Sequence, residues 1–361
     1  MAFRWRHAHD GRYPHGLVLK LHVKYAVYSL LRDVPSIKCY DSNIESFGGS
    51  MYYFIINPQA SGGRGRKIWN RLLKYLQRTH QMNQVEAFLT EKTGDARRYA
   101  RMLSERCMEN RIITVIGGEG TLNEVVDGLH LDSDRISLAY IPTKVDNDIA
   151  RCYRKRYTLK AQIRRLMNPS DELLLDYGVL NCASLNRRFA VSSGIGFDAA
   201  LFPPLAPENR EEAQETKKAP FPKRRISYLH HFMRELLRAR QSHGYVILDG
   251  EKRHEFNNIL FISAHVHPFD GGYMVCPQAD GADGFLDICI VSTKYKWRLA
   301  AIMVASIFGQ HVRHTGVHLY RCREAVIHTE KALPVHVDGE AIGAQTDFTL
   351  TCIPKKLRLR I

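Results

Sequence analysis

Three short segments of the chain carry the residue types that chemistry needs. Asn57-Pro58-Gln59-Ala60-Ser61-Gly62-Gly63-Arg64-Gly65 and Gly117-Gly118-Glu119-Gly120-Thr121-Leu122-Asn123-Glu124 each sit between an apolar run and an amphipathic one. Glycines at such a junction let the backbone approach a phosphate, and the following helix N-terminus supplies N–H donors and a positive dipole end. Neither segment fits a Walker A or a GxGxxG pattern. Either alone reads as a tight turn, but two in one sheet point to a nucleotide phosphate site. Glu119 is an unexpected acid in a loop that only holds phosphate. A carboxylate there makes sense with a Mg²⁺ ion between it and the phosphates, the charge neutralisation that phosphoryl transfer requires. The third segment is Val337-Asp338-Gly339-Glu340. Val335 and Val337 alternate with His336 and Asp338, which predicts a strand with its polar face outward running into a glycine turn. Two carboxylates at i and i+2 can share a cleft, and one can accept a hydroxyl proton. His230-His231 and His265-x-His267 make no metal frame and read as structural.

The elements that must position these residues fall into two textures. Apolar runs at 52–57, 85–90, 112–116 and 136–141 alternate with helical stripes at Trp69/Leu72/Leu73/Leu76, Ala96/Tyr99/Ala100/Leu103 and Leu122/Val125/Val126/Leu129. Near-continuous apolar strands separated by such helices describe an open parallel sheet covered on both faces. In that architecture both glycine loops leave the carboxyl ends of strands, where ligands bind. After about Pro169, short β-rich segments at 173–180, 188–193, 245–249, 259–264, 286–291 and 335–338 are separated by Gly, Pro and Asp turns. They predict an antiparallel β-sandwich domain. A polar, Pro-rich insertion at 203–225 leads into a helix with Leu229, Phe232, Met233 and Leu236 on one face.

Length and charge fit that division. The 361 residues suffice for about two domains, and no run reaches the roughly 20 apolar residues of a membrane span. The start carries no secretory pattern, and eight cysteines without a Cys-x-x-Cys pair read as buried thiols of a reducing compartment. The formal charge of +15 favours an anionic partner: nucleic acid, a membrane surface or phosphorylated small molecules. No nucleic-acid-binding motif accompanies it, so nucleic acid is not expected. Residues 1–50 show no sustained periodicity and are read as an extension, with Met51 as the expected natural start.

Six blocks in order then resemble the diacylglycerol kinase catalytic-domain family, in its soluble bacterial lipid-kinase form related to ceramide and sphingosine kinases. They are NPxxSGG, GGxGTLNEV, IPxxxxNDxAR at 141–151, GIGFDA at 194–199, GGYMVCPQADGADGFLDI at 271–288 and VDGE at 337–340. The resemblance implies an ATP- and Mg²⁺-dependent kinase with its active site between an N-terminal open parallel α/β nucleotide-binding domain and a C-terminal antiparallel β-sandwich domain. The α/β domain would span 51–168, completed by a returning strand at about 346–361, and the lipid-substrate domain 169–345. Asn57, Ser61, Thr90, Gly117, Gly118, Glu119, Gly120, Thr121, Leu122, Asn123 and Asn147 fall where the family holds ATP. Glu340 matches the proton acceptor, with Asp338 beside it. Asp283, with backbone carbonyls of Asp280 and Phe285, matches a structural Mg²⁺ site. The implied reaction converts diacylglycerol to phosphatidic acid, in the cytoplasm at the inner face of the membrane; a homodimer stays open.

Two departures from the family pattern bear on activity. Glu119 stands where aspartate is usual, and Lys144-Val145-Asp146 replace a Gly-Thr/Ser-Gly/Ala stretch. They keep a second reading open, a degenerate member that binds lipid or nucleotide without efficient catalysis. A NAD kinase-like enzyme, which shares the GGxGT logic, is a third. The basic residues Lys217, Lys218, Lys223–Arg225, Arg234, Arg238 and Arg240 surround the helix expected at 226–240, which suits either an anionic membrane surface or a domain-packing helix with a solvated basic face.

Overall fold

A computed structural model describes residues 51–79, 85–105, 111–132, 135–144, 147–153, 158–159, 161–162, 172–183, 185–202 and 221–360. Residues 1–50, the insertion as far as residue 220, Val145, Asp146, Cys39 and Cys107 lie outside the described residues, as do the side chains of Lys223–Arg225.

The first half alternates β1 (Met51–Ile56), α1 (Ala60–Arg78), β2 (Val85–Leu89), α2 (Asp95–Glu105), β3 (Arg111–Gly117), α3 (Glu119–Gly128), β4 (Ile136–Pro142) and the short α4 (Asp148–Cys152). The strands pair in parallel in the order β2-β1-β3-β4, with Phe54 opposite both Ala87 and Thr114. Alternation along β1 sends its side chains to two cores. Phe54 and Ile56 pack with Trp69, Leu72 and Leu76 of α1. Tyr53 and Ile55 meet Tyr99 and Leu103 of α2 and Leu122 and Val126 of α3. Burial on both faces is why these strands read as unbroken apolar runs.

The second half comprises β5 (Glu172–Cys182), β6 (Leu185–Phe189), β7 (Ser192–Gly196), α5 (Phe197–Ala200), α6 (Phe221–Arg238), β8 (Ser242–Leu248), β9 (Lys252–His265), the small pair β10 (Phe269–Asp270) and β11 (Tyr273–Met274), β12 (Leu286–Ser292), α7 (Lys296–Ser306), a 3₁₀ turn (Gln310–Arg313), β13 (Val317–Cys322), β14 (Glu324–Val337) and β15 (Glu340–Arg360). Its strands pair antiparallel throughout. The long β15 joins the halves, antiparallel to β14 and β5 and, at its end, parallel to β4 through Leu359 opposite Leu138. The described cysteines are all free, and five of the six are buried. Among the described residues no helix is long and apolar enough to cross a membrane.

Two expectations need correction. The strand expected at 188–193 is broken between β6 and β7, because the N–H groups of Ala190 and Val191 donate to the Asp338 carboxylate instead of a strand ladder. The polar face of 335–338 does not point outward. β14 pairs with β15 and β7, and Phe202 and Asp198 cover the face that carries His336, so His336 is fully buried, and Asp338 turns into the interior.

Candidate active site

The carboxyl ends of β1, β2, β3 and β4 bring Asn57, Thr90, Gly117 and Thr143 together, with the Thr90 N–H donating to Ile56 O at 2.8 Å. Asn57 Nδ2 donates to Thr121 Oγ1 at 3.1 Å, linking the two glycine loops. Thr143 Oγ1 donates to Gly117 O at 3.1 Å, so Ser61 Oγ must be the donor in its 2.9 Å contact with Thr143 Oγ1. The first loop passes through three successive left-handed residues, Ser61, Gly62 and Gly63, with φ of 52°, 68° and 89°. Such a run turns backbone N–H groups into a concave, anion-accepting surface. Gly65 is required by crowding: a Cβ there would lie 1.9 Å from Asn57 O. At Gly118 and Gly120 a Cβ would meet nothing within 4 Å, so that side of the second loop is open.

Glu119 caps this loop from the other side. Its Oε1 accepts from Asn147 Nδ2 at 3.0 Å and from the Asp148 N–H at 2.7 Å. Asn147 Nδ2 also donates to Tyr140 OH at 3.0 Å. Burial, then the neighbouring Asp148 charge, push the Glu119 carboxyl up to about 7, against the opposing pull of Lys144. Asp148 is raised as well, chiefly by burial. The two carboxylates repel each other, and the nearest paired cation stands off, with Arg151 3.8 Å from Asp148. One turn along the same helix, Asn123 Oδ1 is buried without a hydrogen-bond partner. This excess of hard oxygen donors fits a Mg²⁺ ion, with Glu119 and Asp148 as its carboxylates.

Asn123 itself faces the second half. Its Nδ2 donates to Asp338 Oδ2 at 2.8 Å and to Arg188 O at 2.9 Å, which ties α3 to the turn after β14. Leu122 is a core residue with its N–H given to Gly118 O, so it offers a ligand neither side chain nor amide. Asp338 accepts four hydrogen bonds, from Asn123 Nδ2 and from the N–H groups of Ala190, Val191 and Ser192, all at 2.8–2.9 Å. With every lone-pair direction engaged, it acts as the pivot of the turn and cannot be the reacting base.

Glu340 is less enclosed. Its Oε2 meets Arg187 at 2.5 Å and Arg97 at 3.3 Å, and the same two guanidinium groups hold Asp127 Oδ2 at 2.9 and 2.6 Å. Both contacts use Oε2, so Oε1 is engaged by neither arginine. Sequence reasoning missed Arg97, Arg187 and Asp127: they come from α2, β6 and α3 and share no spacing.

It also missed His336. The Gly339 N–H donates to His336 Nδ1 at 3.1 Å, so the ring proton sits on Nε2, facing Asp198 Oδ2 at 3.2 Å and Asp270 Oδ2 at 3.7 Å. Ser192 Oγ completes the cluster with a 2.7 Å bond to Asp270 Oδ2. A nitrogen that carries a proton is no ligand, so Asp198, Asp270 and His336 form a hydrogen-bonded brace under the Asp338-Gly339 turn and not a metal centre. Burial pushes Asp270 up to about 7, while at Asp198 the His336 contact overrides burial and the carboxyl falls below its ordinary range. Gly194 makes room for the brace, since a Cβ there would lie 2.1 Å from Asp198 Oδ2.

The expected structural Mg²⁺ site at Asp280, Asp283 and Phe285 does not fit the residues present. Asp283 Oδ1 accepts from the Phe285 N–H at 2.9 Å, and its Oδ2 is paired with the Arg321 guanidinium. Asp280 Oδ1 accepts from the Ala282 N–H at 3.2 Å. Asp176 closes the loop by accepting from the N–H groups of Gly284 and Lys355. An arginine stands where the cation would supply charge.

Comparison with known proteins accords with this geometry. Residues 51–172 match the diacylglycerol kinase catalytic domain, and residues 209–361 match the YegS C-terminal NAD kinase beta sandwich-like domain. A Bacillus subtilis protein named "Putative lipid kinase YtlR" is 29% identical over 319 residues, covering 86% of this chain and 99% of that one. A Staphylococcus saprophyticus protein named "Diacylglycerol kinase" is 24% identical over 262 residues, 72% of this chain and 79% of its own length. In fold, the chain is similar to the "Crystal structure of a putative diacylglycerol kinase from Bacillus anthracis str. Sterne", with a TM-score of 0.65 at 19% identity, over 87% of this chain and 98% of that one. With these two domains in succession, the chain belongs to the diacylglycerol kinase catalytic-domain family of lipid kinases.

Proposed function

We propose that the protein transfers the γ-phosphate of ATP to a lipid hydroxyl, with diacylglycerol as acceptor and phosphatidic acid as product. The observation that carries this reading is the bond from Asn123 Nδ2 to Asp338 Oδ2, which places the phosphate-loop helix against the turn that ends in Glu340. The glycine loops bind the triphosphate through N–H groups, and Ser61, Thr143 and Asn57 fix the loops to each other. Glu119 and Asp148 would hold Mg²⁺, which supplies charge neutralisation at the transferring phosphoryl group. Arg97 and Arg187 aim the Glu340 carboxylate, whose Oε1 takes the acceptor hydroxyl proton as the lipid oxygen bonds to the γ-phosphorus and ADP leaves. Positioning supplies most of the acceleration. Such an enzyme works on the cytoplasmic side, peripheral to the membrane that carries its acceptor.

Transfer of labelled γ-phosphate to diacylglycerol, ceramide and sphingosine tests the proposal, with Glu340→Gln as control. Labelled phosphatidic acid in the wild type alone supports it; no labelled lipid overturns it. NAD added to the same panel addresses the NAD kinase-like alternative.

One observation favours a second reading, a member that binds without efficient turnover. Exposed Lys144 lies close enough to Glu119 and Asp148 to pull both carboxyls down, supplying charge where the metal would. Restoring Gly-Thr-Gly at 144–146 should then raise ATP turnover, and no gain excludes the loop as a defect.

A further inference from the structure

The helix α7 is apolar on two opposite faces. Leu299, Ile302 and Met303 are buried against Phe232 and Leu236 of α6. On the other side Trp297, Ala301, Val304 and Phe308 follow at i, i+4, i+7 and i+11, one continuous stripe that meets solvent. A surface helix of this kind normally carries polar residues there. The stripe continues onto α6, where Leu229, Met233 and Leu237 lie beside the buried Phe232 and Leu236. Lys296 Nζ donates to Leu237 O at 2.5 Å and draws the end of α6 to the start of α7. The exposures are 73% for Phe308, 69% for Leu237, 65% for Trp297, 61% for Val304 and 60% for Leu229. Phe308 is held out rigidly: the N–H groups of Ile307, Phe308 and Gly309 each donate back to the last turn of α7.

The charge around this patch has one sign. Residues 292–320 contain no Asp or Glu, against Lys294, Lys296, Arg298 and Arg313. The one acid of α6 beyond Leu229, Glu235, is paired with Arg234 at 3.0 Å and lies 4.0 Å from Arg238. Arg298 stacks over both Tyr295 and Trp297 at 5.5 Å. Aromatic rings with an apolar body and a polar edge, beside long basic side chains, suit the boundary between lipid headgroups and acyl chains.

We infer that the α6–α7 face is a membrane-docking surface, which inserts Trp297, Val304, Phe308 and Leu237 into an anionic bilayer while the surrounding Lys and Arg side chains contact its headgroups. This names the partner surface of the lipid-kinase reading and rests on that reading for its purpose. It also changes what the sequence suggested. The basic face of the helix expected at 226–240 is only the rim, and the centre is an apolar stripe on a second helix.

The test compares wild type with Trp297→Ser/Phe308→Ser, two exposed changes that leave the core intact. Binding is measured by co-sedimentation with mixed phosphatidylcholine–phosphatidylglycerol vesicles and with pure phosphatidylcholine vesicles. Turnover is measured on short-chain diacylglycerol in free solution, and oligomeric state by light scattering. The expected result is at least roughly tenfold weaker binding to the anionic vesicles by the double variant. Wild type should prefer anionic over neutral vesicles, and turnover of the dissolved acceptor should be equal in the two proteins. Equal vesicle binding by wild type and variant overturns the inference. So does a wild-type dimer that the variant converts to monomer, which would make this face a contact between copies. If wild type binds anionic vesicles through this face yet phosphorylates no lipid, the docking surface stands and the lipid-kinase reading fails.

Discussion

Asp338→Asn separates a structural role from a catalytic one. The substitution changes one oxygen to an NH₂ group and nothing else in shape. Whichever oxygen is replaced, two of the four donors now at 2.8–2.9 Å lose their acceptor and face another donor. A stranded buried donor costs about 1–3 kcal/mol, so two cost roughly 2–6 kcal/mol. Burial raises the Asp338 carboxyl, and a neutral amide is relieved of that desolvation, which places the expected loss in the lower part, about 2–4 kcal/mol. At about 1–2 °C per kcal/mol for a chain of this size, the melting temperature should drop by roughly 2–8 °C. Thermal and urea unfolding measure this, with Glu340→Gln as the comparison. Glu340 keeps an acceptor oxygen for its arginines as Gln, so that variant should unfold within about 1 kcal/mol of wild type. An Asp338→Asn protein as stable as Glu340→Gln refutes the pivot argument, and abolished activity at unchanged stability would return Asp338 to the reacting groups.

The Glu119 carboxyl moves from its ordinary 4.5 to about 7, so between those pH values the folded chain keeps a proton that the unfolded chain has released. Stability should therefore fall as pH rises through that window, by about 3 kcal/mol in all. Glu119→Gln should flatten that part of the stability–pH curve, and an unchanged curve excludes the assignment. Mg²⁺ added above pH 7 should recover the loss in wild type and not in the variant. Gly118→Ala meets no atom within 4 Å and should fold normally while binding ATP at least roughly tenfold more weakly, because its methyl occupies the phosphate approach. Gly65→Ala, with its Cβ 1.9 Å from Asn57 O, should lose both stability and nucleotide binding; equal behaviour of the two variants in a melting and nucleotide-binding pair of assays would contradict the cradle. His336→Phe removes the acceptor for Gly339 N–H and the donor for Asp198, and should lower kcat with little change in the KM for ATP. A KM effect alone would remove His336 from the positioning of Glu340.

The parts of this site legible in the sequence are those held by local rules. A strand, a glycine loop and an amphipathic helix occupy consecutive residues, so Asn57, Ser61, Gly117 and Glu119 declare their place through neighbours. The apolar stripes of α1, α2 and α3 are legible for the same reason. Period-two alternation puts His336 and Asp338 on a polar outer face because it tells which residues share a face and not whether that face is covered. The face that carries His336 is covered by Phe202 and Asp198, which arrive from far upstream in the sequence. The Arg97–Arg187–Asp127 clamp is invisible in the same way, each member belonging to an element whose neighbours are fixed only by tertiary pairing. On α6 the residues Leu229, Phe232, Met233 and Leu236 recur at helical spacing as the sequence predicts, but only half of them are buried. Periodicity records that a face is apolar and does not name what lies against it.

The strand β15 begins at Glu340 and ends beside Leu138, and this sets the order in which the molecule can be built. During synthesis β1 to β4 leave the ribosome early, but β4 keeps an unpaired edge until Leu359 arrives to occupy it. The nucleotide half is thus exposed to edge-to-edge association for the whole time the second half is being made, a hazard for any parallel sheet left open. The residue proposed to take the proton and the residues that close the phosphate sheet lie on one continuous strand. Completion of the sheet therefore comes last, and a chain stalled before its last dozen or so residues would carry the cradle on an open-edged sheet, with Glu340 tied to it through Arg97 and the Asn123–Asp338 bond and not through the sheet.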